Sequence, residues 1–577
     1  MKKTAALLSA VSVLALTPMA FADGHEGERG RDGDVKIIYW QAPSILNPFL
    51  SGGTKDVESA SMIIEPLARY NQDGVLVPWL VEEIPTVANG GVSEDLTTIT
   101  WNITPGIMWS DGSAFTSADV KFTYEYCTDP DGGCAQLTKF EGVASVETPD
   151  DTTVVVTFSG PTPNPYGPFV GGESPILQAA QFADCMGAAA PNCTTENFGP
   201  IGTGPFVVTD FKPNDVITME ANPNFRHEGK PAFASVTFKG GGDATAAGRA
   251  VMETGEFDYA WNLQLAPDVI AQMEQGGMGT PVAGFGPLVE RIMLNNSNPD
   301  PALGPDERSV KSDPSGPSEH PFLGDPAVYK AMSMAIDRPL LVEVGYGQAG
   351  KVTCNWVPAP AAFSSESMSC DVQDIAGANA MLDEAGIVDT DGDGIREKDG
   401  VPLKVLYQTS TNAVRQDFQA LIKSWWAEIG IDAELRNLSA SVFFGGDPGS
   451  PDTFQKFYAD VEMYANTFNG TDPQAYLGNG LCDKAPRPDS QWQGENISRF
   501  CMAEYDALHA ELTKTADIAE RARIGRELND MMVQNGGMIP LVHRGRLSAH
   551  ANSLGGVVLN VWDSELWNVA DWYRIDG

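Results

Sequence analysis

The spacing of apolar residues along the chain predicts an α/β protein. Residues 35–40 form an apolar-rich run typical of a buried strand, and residues 152–158 alternate polar and apolar side chains as a half-buried strand does. In residues 411–430, apolar side chains recur at helical spacing and form one broad stripe. Similar patterns predict further strands at 97–103, 216–220, 460–463 and 538–543, and further helices at 328–336, 497–515 and 518–536.

The first 22 residues have the pattern of a signal peptide. Lys2 and Lys3 precede the apolar segment 5–16, and Ala20-Phe21-Ala22 is an A-x-A cleavage site. Residues 23–33 are polar and rich in glycine, which predicts a disordered lead-in. No later apolar run reaches the roughly 18 residues of a membrane-spanning helix. We therefore expect an exported, periplasmic protein that does not itself span the membrane.

The composition is strongly acidic. The 577 residues include 37 basic and 77 acidic side chains, a formal net charge of −40. Such a surface repels nucleic acid and anionic lipid headgroups, so neither is an expected partner. The chain is also longer than one ordinary hydrophobic core requires, which predicts two or three domains. The charge alone does not identify a ligand.

Eight cysteines in an exported chain predict disulfide bonds, because exported proteins fold under oxidising conditions. The cysteines allow many connectivities, but they fall into four well-separated pairs of near neighbours. No cysteine and histidine spacing typical of zinc is present in the sequence. The predicted pairs are Cys127–Cys134, Cys185–Cys193, Cys354–Cys370 and Cys482–Cys501.

Residues 103–122 combine two turns with a helix start and carry a family signature. The helix is predicted to be capped by Thr116 or Ser117, with Asp119 in its first turn. As a string, this stretch resembles the W-S-D-G-x-x-x-T-x-x-D-V signature of the large extracytoplasmic solute-binding proteins of ABC importers. That family includes the oligopeptide-, dipeptide- and nickel-binding proteins. Further segments resemble the same family in the same order, at residues 202–206, 222–225 and 329–338.

The resemblance implies a periplasmic-binding-protein-like α/β fold of the large cluster C type. Two lobes are joined by a hinge, and an additional domain is inserted in the first lobe. Segments 34–63, 200–287 and 545–577 would form lobe I, 64–199 the inserted domain and 288–544 lobe II. The family function is hinge closure over a peptide or peptide-like ligand, followed by docking on the permease transmembrane subunits. We expect a monomer that requires no cofactor.

The resemblance also places the ligand near residues 464–473. Peptide binders of the family have an aspartate four residues before the proline of this segment, where it binds the α-amino group. Here that position is Asn469, which supplies no charge, so either Asp472 takes over the amine or the ligand has no free amino terminus. Arg415 lies one position from the carboxylate-binding arginine of dipeptide binders, with a solvated helix charge as the alternative. The aromatic candidates for the cleft wall are Tyr464, Trp40 and Trp356.

An acidic loop resembles the first half of a calcium-binding loop. Aspartates alternate with other residues, Gly394 follows the third aspartate, and a backbone carbonyl falls at the seventh position. The last position, where a calcium loop has a bidentate glutamate, is Gly400. The loop therefore predicts a structural Ca²⁺ site with an incomplete ligand set, and an acidic surface hairpin is the alternative. The candidate ligands are Asp389, Asp391, Asp393, the Ile395 carbonyl and Asp399.

Motifs of common enzyme classes are missing from the sequence. It has no G-x-S-x-G nucleophile elbow, no H-E-x-x-H zinc motif and no G-x-x-x-x-G-K-[ST] phosphate loop. We therefore predict a binding protein and not an enzyme. One alternative is a protein of the same fold that binds a sugar, an opine or a metal chelate, which Asn469 favours. A secreted hydrolase is the other alternative, and the missing motifs disfavour it.

Overall fold

The computed structural model describes residues 27–304 and 318–575. The predicted signal peptide, residues 1–22, lies outside this part of the chain. Within it, no helix is both long and apolar enough to cross a membrane. The described residues form two large sheets with helices packed on them, which confirms the predicted α/β class.

The described part of the predicted lead-in, residues 27–33, differs from the expected disordered segment. Arg29 donates hydrogen bonds to the backbone carbonyls of Lys230 at 2.6 Å and Asn222 at 2.7 Å. Its guanidinium also donates to the Phe225 carbonyl at 2.7 Å. One arginine side chain can satisfy several carbonyls of a turn, and this ties the segment to the first lobe.

The first large sheet, sheet I, has seven strands. Its central strand, Asp34–Tyr39, pairs in parallel with Ser235–Gly240 and Tyr259–Trp261. Most of its side chains are buried, as expected for a parallel strand covered on both faces. The remaining strands of sheet I are Phe206–Lys212, Val216–Ala221, Gly279–Gly284 and Arg546–Ala551.

The second large sheet, sheet II, has six strands. Val461–Asn466 lies inside it, parallel to Lys404–Ser410 and antiparallel to Val289–Leu294. Hydrogen bonds to both neighbouring strands fix the register of Val461–Asn466. They thereby fix where the residues that follow Asn466 leave the end of the sheet. The remaining strands of sheet II are Gly350–Val352, Asp432–Leu438 and Met538–Arg544.

The helix Ala413–Ala427 confirms the apolar stripe predicted for residues 411–430. Asn412 caps its first turn, because its side-chain oxygen accepts from the Arg415 backbone N–H at 2.9 Å. Phe418 and Ile422 on the stripe are buried in the core of the second lobe. Arg415, in the first turn of this helix, lies at the edge of this core.

The inserted segment has its own antiparallel sheet of three strands, Thr98–Asn102, Val143–Asp150 and Thr153–Phe158. The helix Ser117–Thr128 packs on this sheet. Asp119 accepts from the Thr116 backbone N–H at 3.0 Å, which closes the predicted cap. The signature residues of this stretch therefore have a structural role in starting the helix.

Other helices and short strands complete the lobes. The remaining helices are Thr54–Ala60, Ala179–Phe182, Thr194–Phe198, Ala244–Met252, Pro267–Glu274, Pro326–Met334, Arg338–Gly345, Ile375–Glu384, Ala440–Phe443, Gln474–Gly478, Ala503–Leu512 and Ile518–Gln534. The short strand pairs are Ala68–Tyr70 with Leu76–Pro78, Glu397–Lys398 with Val401–Pro402, and Leu554–Gly555 with Tyr573–Arg574. The helix predicted from residue 497 begins later, at Ala503, because residues before it belong to a disulfide-closed loop.

The chain passes between sheet I and sheet II at two adjacent points. Residues 285–288 form the first crossing, and Gly545 alone separates the strands of the second. The Arg544 backbone N–H donates to the Leu288 carbonyl at 3.0 Å, so the two crossings lie side by side. Two short adjacent crossings form the hinge of a two-lobed protein. Sheet I takes its strands from residues 34–39, 206–284 and 546–551, and sheet II takes its strands from residues 289–544.

The four predicted disulfide bonds are confirmed. They join Cys127 to Cys134, Cys185 to Cys193, Cys354 to Cys370, and Cys482 to Cys501. The first two close short loops in the inserted domain, and the other two close short loops in lobe II. By the chain-entropy estimate, loops of this size contribute about 2–3 kcal/mol each to the free energy of unfolding.

Candidate ligand-binding site

The cleft between the lobes is the candidate ligand-binding site. Its larger compartment has a cavity volume of about 50 Å³. A smaller compartment of about 30 Å³ adjoins it. The two compartments share the lining residues Gly52, Thr54, Asn466, Thr467 and Arg546.

Contacts between the lobes close this cleft. The Gly470 backbone N–H of lobe II donates to the Trp562 carbonyl of lobe I at 2.6 Å. Asn412 Nδ2 donates to Gln264 Oε1 at 3.0 Å across the same interface. A Cβ atom at position 470 would lie 2.6 Å from the Tyr70 ring, and Gly470 has a φ of +86°. Only glycine allows this approach of lobe II to the inserted domain.

Two disulfide-closed loops meet at the rim of the cleft. The loop 127–134 belongs to the inserted domain and the loop 482–501 to lobe II. Gln491 Nε2 donates to the Asp131 carbonyl at 3.0 Å. A Cβ atom on Gly133 would lie 3.0 Å from the Ser490 carbonyl oxygen, so the two backbones are in close contact. The rim is therefore built from covalently restrained segments on both sides.

One end of the cleft, the arginine end, consists of Arg415, Arg544 and Arg546 with their acidic partners Glu290, Glu58 and Glu565. Arg415 Nε donates to Glu290 Oε1 at 2.7 Å, and both side chains are almost completely buried. Burial raises the pKa of Glu290, but the guanidinium groups of Arg415 and Arg544 outweigh it and lower the pKa below its ordinary value. Glu290 is therefore ionised at neutral pH, and the Arg415 charge is engaged inside lobe II.

Arg546 has a similar network in lobe I. Its Nη1 lies 3.3 Å from Glu58 Oε1 and donates to the Asp563 carbonyl at 2.9 Å. Glu58 also accepts from Ser564 Oγ at 2.5 Å and from the Glu565 backbone N–H at 2.8 Å. Burial raises the pKa of Glu58 to about 7, against the lowering effect of Arg546. Arg546, Glu58 and their hydrogen-bond partners therefore satisfy one another and form a polar side of the cleft.

Tyr464 lies in the wall of the larger compartment together with Arg415. Its ring centroid is 5.3 Å from that of Phe454, and the Arg291 guanidinium lies 4.7 Å from the Tyr464 ring centre. Burial raises the pKa of Tyr464 above its ordinary value. The tyrosine is therefore neutral and offers the cleft an aromatic surface.

The two predicted tryptophans do not line either compartment. Trp40 lies in a separate groove between the lobes, and its Nε1 donates to the Asn262 carbonyl at 2.8 Å. Trp356 is 2% exposed and packs inside lobe II, with its ring 5.0 Å from the Tyr476 ring. Apolar character alone does not distinguish these core positions from a cleft wall.

Asp472 has an internal cationic partner. Its Oδ2 accepts from Arg521 Nη2 at 2.7 Å and from Nε at 2.9 Å. Arg521 is on the helix Ile518–Gln534 and is buried. Both donors bind the same carboxylate oxygen, and Oδ1 accepts from the Gln474 backbone N–H at 3.0 Å. The carboxylate that the sequence offered as a substitute amine partner is therefore engaged inside lobe II, and charge-assisted hydrogen bonds of this kind are strong.

The other end of the cleft, the carboxylate end, consists of Asn469, Glu173 and Glu495. Asn469 and Glu173 line the smaller compartment. Glu495 Oε1 lies 2.9 Å from the position that a Cβ atom on Gly52 would occupy. Asn469 Nδ2 and Glu495 Oε1 are buried without a hydrogen-bond partner in the described part of the chain. Sequence reasoning missed Glu173 and Glu495, because neither residue belongs to a motif and the two are distant in the chain.

The acidic loop brings three of its predicted carboxylates together. Ligand oxygens of Asp389, Asp391, Asp393 and Glu397 lie within 4.8 Å of one another. Asp399 is not in this group; its carboxylate lies 3.5 Å from Lys398 Nζ, and Glu397 takes its place. Asp389 already accepts from the backbone N–H groups of Gly392 at 2.7 Å and Gly394 at 2.9 Å, which lower its pKa. The Ile395 backbone N–H donates to Asp393 Oδ1 at 2.8 Å.

Comparison with known proteins supports the architecture described above. Residues 75–485 match the model for bacterial extracellular solute-binding proteins, family 5. Protein XP55 of Streptomyces lividans is 27% identical over 422 residues, 73% of this chain and 70% of that protein. The glutathione-binding protein GsiB of Escherichia coli K12 is 23% identical over 529 residues, 91% of each chain.

Among solved structures, the oligopeptide-binding protein AppA from Bacillus subtilis, in complex with a nonapeptide, is similar in fold. It superposes with a TM-score of 0.78 at 20% identity, covering 95% of this chain and 100% of that chain. This similarity confirms the two-lobed fold with an inserted domain. The match to the family model covers most of the chain, and the chain belongs to the bacterial extracellular solute-binding proteins of family 5.

Proposed function

We propose that the protein is the solute-binding component of an ABC importer and that it captures a peptide or peptide-like ligand. The ligand would bind in the cleft between the lobes, stabilise the closed form and reach a membrane permease with it. A ligand favours closure only by the amount that it binds the closed form better than the open form. No catalytic role is proposed, since the cleft is a binding site in this family.

The observation that carries this proposal is the closed cleft with unsatisfied polar atoms at one end. Buried polar atoms without partners are rare in proteins, and a bound molecule is one way to satisfy them. The backbone after strand Val461–Asn466 also runs along the cleft at Thr467. An extended peptide can pair with such a strand end by main-chain hydrogen bonds. Two similar proteins bind peptides, GsiB glutathione and AppA a nonapeptide.

A non-peptide solute is the second candidate. Asn469 carries no charge, and Asp472 is paired with Arg521. The amine-binding aspartate of the peptide binders that the chain resembles is therefore replaced at position 469, and the neighbouring Asp472 is already engaged. A sugar, an opine or a metal chelate would need no free amino terminus.

Native mass spectrometry of the purified protein, followed by release of the bound molecules under denaturing conditions, tests the proposal. A co-purified series of peptide masses would support peptide transport, and a single non-peptide mass would support the second candidate. The variant Gly52→Leu should lose the bound molecules, because its side chain fills space shared by both compartments. Gly160→Leu is the matched control, since a Cβ atom there meets no atom within 4 Å.

A further inference from the structure

The groove between the lobes that contains Trp40, the outer groove, is a second space next to the cleft. Its volume is about 740 Å³, whereas the two cleft compartments measure about 50 Å³ and 30 Å³. In the part of the chain that the structure describes, no residue lines both the outer groove and a cleft compartment. The space between the closed lobes is therefore divided.

The division runs through one short segment of each lobe. In lobe I, after strand Tyr259–Trp261, Asn262 lines the larger cleft compartment and Gln264 lines the outer groove. In lobe II, at the start of helix Ala413–Ala427, Arg415 lines the larger compartment and Asn412 lines the outer groove. Each segment thus has the cleft on one side and the outer groove on the other.

Gln264 and Asn412 join these two segments across the lobes. Asn412 Nδ2 donates to Gln264 Oε1 at 3.0 Å, and Gln264 Nε2 donates to the Tyr346 hydroxyl of lobe II at 3.0 Å. Gln264 is 1% exposed and Asn412 is 5% exposed. Asn412 Oδ1 accepts from the Arg415 backbone N–H. Each amide oxygen and nitrogen of this pair has a partner within the protein, so the pair closes the cleft without offering a ligand a free hydrogen-bonding group.

The backbone of lobe I holds Gln264 at the division. Asn262 has a φ of +58°, a left-handed conformation in which asparagine is enriched. The Gln264 backbone N–H donates to the Asn262 carbonyl at 2.8 Å. The Leu265 N–H donates to the Leu263 carbonyl at 3.1 Å, so two three-residue turns follow each other. The Asn262 side chain also accepts from Arg544 Nη2 of lobe II. Gln264 therefore projects from a tight, tethered turn.

We propose that the Gln264–Asn412 pair ends the ligand cleft at its arginine end and restricts the ligand to the length of a di- or tripeptide. An extended chain adds about 3.3–3.6 Å per residue, so a longer peptide would have to continue from the small cleft compartments into the outer groove. This inference rests on the proposed function and adds the length of the ligand to it. Gln264 and Asn412 are specificity-determining residues because they exclude ligands, not because they bind them.

Exclusion follows from the cost of opening the division. A ligand that passes between Gln264 and Asn412 breaks their hydrogen bond and leaves buried amide groups without partners, which is unfavourable. A ligand that instead holds the lobes apart loses the contacts of the closed form. A ligand stabilises closure only by its better binding to that form, so both routes lower the affinity for long peptides.

The test offers ligand-stripped protein an equimolar mixture of dipeptides, tripeptides and hexapeptides of matched composition, and mass spectrometry quantifies the captured peptides. We expect the wild-type protein to prefer the short peptides over the hexapeptides by about 30-fold or more. Gln264→Ala joins the cleft to the outer groove. It should reduce this preference to about threefold or less by increasing hexapeptide capture.

A second variant opens the division from lobe II. Asn412→Ser retains a good helix cap, but its side chain is too short to reach Gln264, so it should act as Gln264→Ala does. Gln264→Met fills similar space without the hydrogen bonds and should keep the preference for short peptides. Gln416→Ala is the matched control, because Gln416 is exposed and lines the outer groove without joining the lobes. It should behave as the wild-type protein does.

The outcomes separate this inference from the proposed function. Equal capture of short peptides and hexapeptides by the wild-type protein would leave peptide binding intact and overturn the length restriction. Capture of no peptide would overturn the proposed function and this inference with it. A preference that is unchanged in both Gln264→Ala and Asn412→Ser would overturn the inference. So would loss of short peptides without a gain of hexapeptides, because the pair would then only hold the lobes closed. The two variants lie in different lobes, so one remains informative if the other fails to fold.

Discussion

The two ends of the cleft treat buried charge in different ways. At the arginine end, Arg415 and Glu290 form a short ion pair, and Tyr346 and Arg544 add further contacts to Glu290. At the carboxylate end, Glu495 Oε1 has no partner among the described residues. Charges that are satisfied internally fix the shape of the cleft, whereas an unsatisfied group remains available to a ligand.

The largest expected effect comes from breaking the arginine end. Glu290→Gln leaves the guanidinium groups of Arg415 and Arg544 buried without their counter-ion, so the free energy of unfolding should fall by about 3–5 kcal/mol. Urea unfolding followed by tryptophan fluorescence measures this change. Glu428→Gln, on an exposed side chain at the end of the same helix as Arg415, is the control. Equal stability of the two variants would mean that the ion pair is not structural.

A somewhat smaller effect is expected when the loop that carries Glu495 is opened. Replacing Cys482 and Cys501 by serine should lower the free energy of unfolding by about 3 kcal/mol and also weaken binding of the co-purified ligand. The matched control replaces Cys354 and Cys370, which close a loop of similar length in the same lobe.

The control pair should lose similar stability but keep ligand affinity, as measured by isothermal titration calorimetry. If both double variants lose affinity equally, the loop 482–501 has no specific role at the carboxylate end.

The third prediction concerns pH. The pKa of Glu495 is about 8 in the folded protein and near 4.5 in the unfolded chain. At a pH between these two values, unfolding therefore releases a proton from Glu495. Its contribution to wild-type stability therefore falls as pH rises through this window. Relative to wild type, Glu495→Gln should become more stable by about 2 kcal/mol between pH 5 and 7. Urea unfolding at the two pH values checks this, and a pH-independent difference would contradict the assigned pKa.

The smallest effect is expected at the acidic loop. The predicted Ca²⁺ site there should raise the stability of the protein by about 1 kcal/mol at millimolar calcium, because the ligand set is incomplete. A thermal shift with calcium and with chelator measures the change, and Asp391→Asn should abolish it. An unchanged melting temperature would remove the site. That result would also leave the carboxylates of the cleft as the remaining candidates for cation binding.

Local sequence patterns predicted the framework well. The buried strand at the start of lobe I, the stripe on helix Ala413–Ala427 and the four disulfides depend on neighbouring residues, and all are confirmed. Hydrophobic periodicity records which face of an element is buried, so it is readable without knowing the partner. The same reasoning misplaced the start of helix Ala503–Leu512, because the preceding loop is ordered by a covalent link.

The site was less predictable because its chemistry depends on distant partners. The motif placed Tyr464 and Asn469 in the cleft region, but it could not identify Arg521 as the partner of Asp472. Nor could it identify Glu173 and Glu495, which meet only when the inserted domain and lobe II approach each other. Whether a charged side chain is free to bind a ligand depends on its ion-pair partner within the protein. A single sequence does not reveal partners that are distant in the chain.

The contact between the two disulfide-closed loops at the rim affects the thermodynamics of capture. Flexible loops that become ordered on closure lose conformational entropy, and this loss weakens binding. Here the loops 127–134 and 482–501 are restrained before they meet through Gln491 and Asp131. The entropy is lost during oxidative folding, once in the life of the molecule, and each later cycle of ligand capture begins with a rim that is already shaped.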